Sequence, residues 1–189
     1  MQETLLWVED LKTYCFTKAG VVKAVDGVSF SVNRGEALGI VGESGCGKSM
    51  TCASIMRLVP QPAARIVGGK ILFEGDDLLT KDESEMREIR GNKITMILQD
   101  PLMSLNPVYT IGNQVSEVFK LHGGRASGAT LRQNVIDVLT RVNIPSVEDR
   151  LKDYPFQFSG GMRQRTVAAM AIAGSQGFSS PMSRPPLWM

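Results

Sequence analysis

Eight consecutive residues, Gly-Glu-Ser-Gly-Cys-Gly-Lys-Ser at positions 42–49, have the types and spacing needed to hold a phosphate chain. Gly42, Gly45 and Gly47 free the backbone to turn its N–H groups toward one point, and Glu43, Ser44 and Cys46 bring the amides between them. A helix starting at this point adds the positive end of its dipole, with Met50 in its first turn. Lys48 is then placed to reach the β- and γ-phosphates and Ser49 to offer a hydroxyl to Mg2+. A second group, Phe-Ser-Gly-Gly-Met-Arg-Gln-Arg at 158–165, sets Ser159 in an N-cap position ahead of Gly160, Gly161 and a helical run. A third polar residue, Gln99, ends an apolar run and is followed by an Asp-Pro turn.

These residues need elements to carry them. The run EALGIV at 36–41, just before the loop, reads as a buried parallel strand, and residues 49–58 read as the helix after it. Upstream, LLWVED and VVKAVDGVSFSV read as strands of an antiparallel sheet. GGKILFEGDDL reads as a further strand and turn, ESEMREIR as a short charged helix, and KITMIL as a buried strand ending at Gln99. From 111 to 142 the apolar spacing becomes helical, interrupted by GGRASG, and MRQRTVAAMAIAG is a further helix.

Composition narrows the function. The 189 residues with 43% hydrophobic content suit one substantial domain. The 21 basic residues against 19 acidic ones leave no nucleic-acid footprint. Cys15, Cys46 and Cys52 form no Cys-x-x-Cys pair and suggest reduced thiols. The N-terminus lacks the pattern of a signal peptide, and no run approaches the roughly 18 apolar residues of a membrane span. A membrane link would therefore go through other subunits.

The phosphate loop, the segment QDPLMSLNP at 99–107 and FSGGMRQR together resemble the ATP-binding subunits of ABC transporters, more closely those serving oligopeptide and dipeptide importers. The resemblance covers residues 3 to about 174. It implies an α/β P-loop NTPase of the ABC ATPase type, with an antiparallel β subdomain, a parallel-sheet core and a helical insertion at about 101–158. Residues 1–174 would be a partial nucleotide-binding domain, incomplete at the C-terminus, and 175–189 a tail foreign to the family. ATP and Mg2+ are the implied cofactors. Gln99 takes the place of the glutamine that reaches magnesium and the attacking water, making it and Ser49 the implied metal contacts. Ser159, Gly160 and Gly161 match the signature that meets the γ-phosphate of ATP held by a second subunit. An aromatic residue that stacks on adenine aligns at Cys15, so that Tyr14 or Phe16 is the expected substitute, with packing of both in the core as the alternative.

The resemblance also implies partners: a second ATPase subunit in a head-to-tail dimer, transmembrane permease subunits and, indirectly, a solute-binding protein. The implied place is peripheral, on the cytoplasmic face of the inner membrane. The sole histidine, His122, precedes the signature, whereas the family's switch histidine follows it, so His122 is expected at a helix end on the surface.

No Asp-Glu pair follows the signature helix. Residues 175–189 contain three prolines, four serines and no carboxylate side chain. Hydrolysis needs a metal shell and a positioned proton acceptor, so this tail is expected to leave the chain without turnover. The genetic code offers a reason. Residues 180–189 are encodable as TCG CCG ATG AGC CGA CCA CCG CTC TGG ATG with a TGA stop. Begun one base earlier with an A, these bases read Ile-Ala-Asp-Glu-Pro-Thr-Thr-Ala-Leu-Asp-Val. Codons AGC CAA GGC TTC TCA for 175–179 likewise become the end of Glu-Pro-Arg-Leu-Leu if one base is lost after the Gly174 codon. The tail is thus expected to be an out-of-frame reading.

Two other functions stay open at this stage. One is a soluble ABC-type ATPase outside transport; the other is a non-enzymatic fragment that binds nucleotide without turnover. A GTPase would need Asn-Lys-x-Asp, and NKIT at Asn92 lacks the aspartate.

Overall fold

The computed structural model describes residues 3–98, 104–122, 128–174 and 187–188. The chain divides into two compact units, Met1–Met86 and Arg87–Met189.

The first unit is built on a four-stranded antiparallel sheet in the order β2-β1-β3-β4: β1 Thr4–Thr17, β2 Gly20–Asn33, β3 Ala64–Phe73 and β4 Asp76–Asp77. The β-branched and aromatic runs form strands as expected, and β1 and β2 extend to 14 residues each. Helix α1, Lys48–Ile55, follows the phosphate loop, and α2, Glu83–Ile89, leads toward the second unit.

The sheet changes phase in the middle. On β1, Leu6 and Val8 are buried, then Leu11 and Thr13, so the inward set moves from even to odd positions. The cause is a bulge line across three strands. Asp10 takes a left-handed φ of 45°, opposite Gly27 on β2 at 82° and Gly69 on β3 at 98°. A Cβ at Gly69 would lie 2.6 Å from Leu11 Cα and 2.7 Å from the Asp10 and Glu9 carbonyls, so only glycine fits there.

EALGIV is not a strand. Residues 36–43 carry no regular structure, and Leu38, Ile40 and Val41 are exposed. A parallel strand is stable when neighbours hydrogen-bond both its edges and cover both its faces, and the described residues place no strand beside it. KITMIL is likewise shortened to β5, Ile94–Thr95, with Ile97 and Leu98 exposed. The pairing found on β5 is parallel, with β6, Leu187–Trp188, a contact from the tail that the sequence did not suggest.

The second unit is mainly helical: α3 Ile111–His122, α4 Gly128–Arg141, α5 Val147–Arg150, a 3-10 turn Pro155–Gln157 and α6 Gly160–Gly174. The helical spacing is realised as packing. Ile111, Val115 and Phe119 of α3 meet Val135, Val138 and Leu139 of α4 and Met162, Val167, Ala169 and Ala173 of α6 in one core. Each large apolar side chain buried there contributes about 1.5–3 kcal/mol. Small residues on α6 permit close approach: Gly174 lies against the Gly91 carbonyl, where a side chain would collide. His122 ends α3 as expected but is half-buried, its ring resting on Gly91.

Candidate functional site

The phosphate loop of the first unit rests on the sheet. Gly47 is the N-cap of α1, with φ 93° and no side-chain cap hydrogen bond. Its Cα faces the Ala24 carbonyl so closely that any Cβ would strike it. Glycine is thus required twice over, by backbone conformation and by contact. Ala24 is the extra residue at a bulge in β2, between Lys23 paired with Tyr14 and Val25 paired with Thr13, which turns its carbonyl toward the loop. This support was not evident from the motif, which marks the glycine and not the strand behind it.

Helix α1 is fastened from below. Ser54 donates to the Met50 carbonyl at 2.7 Å, so Thr13, fully buried, donates to Ser54 Oγ at 2.7 Å. Thr51 donates to the Gly47 carbonyl at 3.0 Å. At the other end the Arg57 guanidinium reaches the carbonyls of Leu78, at 3.1 Å, and Lys81. These bonds hold α1 at both ends, Thr51 at its first turn and Ser54 and Arg57 at its last.

Within the loop, Lys48 Nζ donates to the carbonyls of Gly42 at 2.7 Å and Glu43 at 2.8 Å and lies 3.3 Å from Cys46 Sγ. The ammonium is thus held by the loop backbone at Gly42 and Glu43. Ser49 is exposed at the start of the helix and Met50 is half-buried. A glycine-framed loop with one ammonium and one exposed hydroxyl suits a phosphate chain and a hard cation such as Mg2+.

Tyr14 and Phe16 are turned away from that loop. Thr13 points to α1, so the pleat sends Tyr14 and Phe16 to the opposite face and Cys15 back to the α1 face. On the outer face the Tyr14 hydroxyl donates to Asp26 at 2.6 Å, and Lys23 lies 5.4 Å from its ring centre. That hydrogen bond holds the Asp26 carboxyl below the usual range and pushes the Tyr14 phenol up. Arg65 stands 5.6 Å from the Phe16 ring. The expected aromatic substitute is therefore not brought to the loop, because the residue at the aligned position, Cys15, keeps the strand alternation.

In the second unit, Ser159 caps α6: the Met162 amide donates to its Oγ at 3.3 Å. Gly160 and Gly161 open the helix with nothing within 4 Å of where a Cβ would stand. Arg165 braces this end, donating to Gly161 at 3.3 Å and to the Asn143 carbonyl at 2.7 Å. The brace was not foreseen; its sequence signal is a second arginine one turn into the helix. Gln99 lies outside the described residues. Cys15, Cys46 and Cys52 are free thiols. Among the described residues no helix is long and apolar enough to cross a membrane.

Comparison with known proteins places this geometry. The family described as "ABC transporter" matches residues 25–178. The chain is 50% identical over 173 residues to the "Probable peptide ABC transporter ATP-binding protein y4tR" of Sinorhizobium fredii, covering 92% of this chain and 51% of that protein. It is 49% identical over 170 residues to the "Dipeptide transport ATP-binding protein DppD" of Bacillus subtilis, covering 90% of this chain and 50% of that one. The chain thus spans about half the length of these relatives. The dimeric ATP-binding cassette MJ0796 in a post-hydrolysis state with ADP and Pi shares the fold, with a TM-score of 0.78 at 23% identity over 90% of this chain and 70% of that one. With a family match across most of its length and a phosphate loop built on its own sheet, the chain belongs to the ABC transporter family.

Proposed function

We propose that this chain is the greater part of the nucleotide-binding domain of an ATP-binding subunit from an importer of peptides or similar small solutes. The observation that carries this is the phosphate loop, seated on the Ala24 carbonyl and leading into α1, within a chain half-identical to proteins named for peptide transport. Residues 42–50 bind the triphosphate of ATP through amides, with Lys48 as counter-charge and Ser49 toward Mg2+. The cation supplies charge neutralisation when bound. Gln99 serves the same cation. Ser159, Gly160 and Gly161 face the nucleotide of a second such subunit in a head-to-tail dimer, and permease subunits hold the pair at the cytoplasmic face of the membrane. A solute-binding protein acts through those permeases.

Residues 1–174 are the family portion, with the helical insertion at about 101–158, and residues 175–189 are an out-of-frame reading of the codons for the Asp-Glu strand. The exposure of Leu38, Ile40 and Val41 supports this, because a Leu-Leu-Ile-Ala strand is the kind of neighbour such a run pairs with. The 189-residue chain binds ATP without hydrolysing it, since its tail holds neither the metal-shell aspartate nor the base.

Calorimetry of Mg-ATP on the whole chain and on Lys48→Ala tests the site. Loss of a hydrogen-bonded charge predicts at least about tenfold weaker binding, and equal affinity for ATP and adenosine would sink the assignment. Turnover that Lys48→Ala abolishes would refute the inactive reading. Sequencing the locus tests the tail: the codons for 175–189 must encode the Asp-Glu segment in the shifted frame. Co-purification of transmembrane permeases with the frame-restored protein separates transport from a soluble ATPase.

A further inference from the structure

Resting, for its effect on binding, on the phosphate reading above, we infer that the loop holds a modification site of its own: a hydroperoxide joins Cys46 Sγ to Lys48 Nζ through a sulfur–nitrogen bond and closes the loop to phosphate. The three thiols of the chain have different surroundings. Cys15 and Cys52 are half-buried, and burial pushes the Cys52 thiol up, away from the reactive form. Cys46 is exposed, so a small oxidant reaches it. Its side chain is folded back across the loop: a Cβ at Gly42 would lie 2.6 Å from Cys46 Sγ, so the bare glycine leaves the room that the sulfur takes. Lys48 Nζ stands 3.3 Å from the same sulfur, held there by its bonds to the Gly42 and Glu43 carbonyls at 2.7 and 2.8 Å. A hydroperoxide oxidises the thiol to a sulfenic acid and is itself reduced, hydrogen peroxide to water. A sulfenic acid condenses with a nitrogen within reach. The Lys48 ammonium gives one proton to the sulfenic hydroxyl, which leaves as water when the S–O bond breaks. The freed nitrogen lone pair forms the S–N bond, and a further proton passes to solvent. The product is a sulfenamide two hydrogens lighter than the reduced pair, without the ammonium that the β- and γ-phosphates require. A thiol reductant attacks the sulfur and returns the amine.

The test treats the complete chain with hydrogen peroxide, alkylates it with iodoacetamide and digests it with trypsin for mass spectrometry. The expected product is two hydrogens lighter and no longer cut after Lys48, and dithiothreitol restores the cut. Cys15 and Cys52 should still alkylate, which separates the product from a disulfide. Inorganic tripolyphosphate should bind the treated chain at least about tenfold more weakly, the scale of losing a hydrogen-bonded charge, and dithiothreitol should recover the affinity. Tripolyphosphate added before the peroxide should slow the loss of cleavage, because phosphate draws the amine away from the sulfur. Cys46→Ser should show the same cleavage and the same binding with and without peroxide. A product heavier by oxygen, with Lys48 still cut, would overturn the inference. So would a disulfide from Cys46, or blocked cleavage that persists in Cys46→Ser. Cleavage lost while tripolyphosphate affinity is unchanged would uphold the bond and instead refute the phosphate reading of Lys48.

Discussion

Helices α1 and α6 both begin beside glycine, and their glycines answer to different demands. At α1 the glycine is needed by the chain itself: Gly47 is left-handed and has no room for a side chain against Ala24. At α6, Gly160 and Gly161 have ordinary φ and open space around them, so the fold would accept alanine there. The caps differ in the same sense. Gly47 leaves the first amides of α1 without a side-chain acceptor, free for an outside anion, whereas Ser159 accepts one amide of α6 on its own hydroxyl. One site is shaped from within by packing; the other is left bare.

The comparison breaks most sharply at Gly47. Gly47→Ala should destabilise the chain by about 3 kcal/mol, adding the cost of a left-handed alanine to a backbone clash, and should remove Mg-ATP binding. Denaturant unfolding and calorimetry would read both, and a variant that folds and binds normally would show that Ala24 does not support the loop. Ser159→Ala comes next, at about 1 kcal/mol and a melting temperature lower by about 2–4 °C. Ser159→Asp should restore most of it, and no change in either variant would mean that the cap is not used. The smallest effect is opposite in sign: Gly160→Ala should stabilise by about 0.5 kcal/mol through helix propensity. A loss instead would show that Gly160 serves the chain's own packing and would erase the contrast.

How much of this was legible beforehand depends on what each residue leans on. Strand and helix positions were readable where the pattern is local, as in the antiparallel pair β1 and β2 or the spacing of Ile111, Val115 and Phe119. The phosphate loop was readable because the left-handed backbone at Gly45 and Gly47 is a local demand, whereas the Ala24 carbonyl that also requires Gly47 was not. EALGIV misled because an apolar run states only that it can be buried, not that neighbours exist to bury it. Leu38 and Val41 consequently lie open. The direction of Tyr14 and Phe16 was not readable either. It depends on which face of β1 meets α1, and that is fixed by Ser54, 41 residues from Thr13.

The bulge at Asp10 makes the wet and dry sides of β1 exchange parity partway along the strand. An insertion or deletion of one residue in a strand ordinarily scrambles everything beyond it, yet here the extra residue is absorbed by Gly27 and Gly69 on the two flanking strands. The two ends of β1 are thereby uncoupled. Leu6 and Val8 on one side of the bulge and Leu11 and Thr13 on the other are buried on separate registers. Removing Asp10 would abolish that independence: strict alternation from Leu6 would keep Leu11 and Thr13 inward, but Gly27 and Gly69 would be left as unmatched extra residues on the flanking strands.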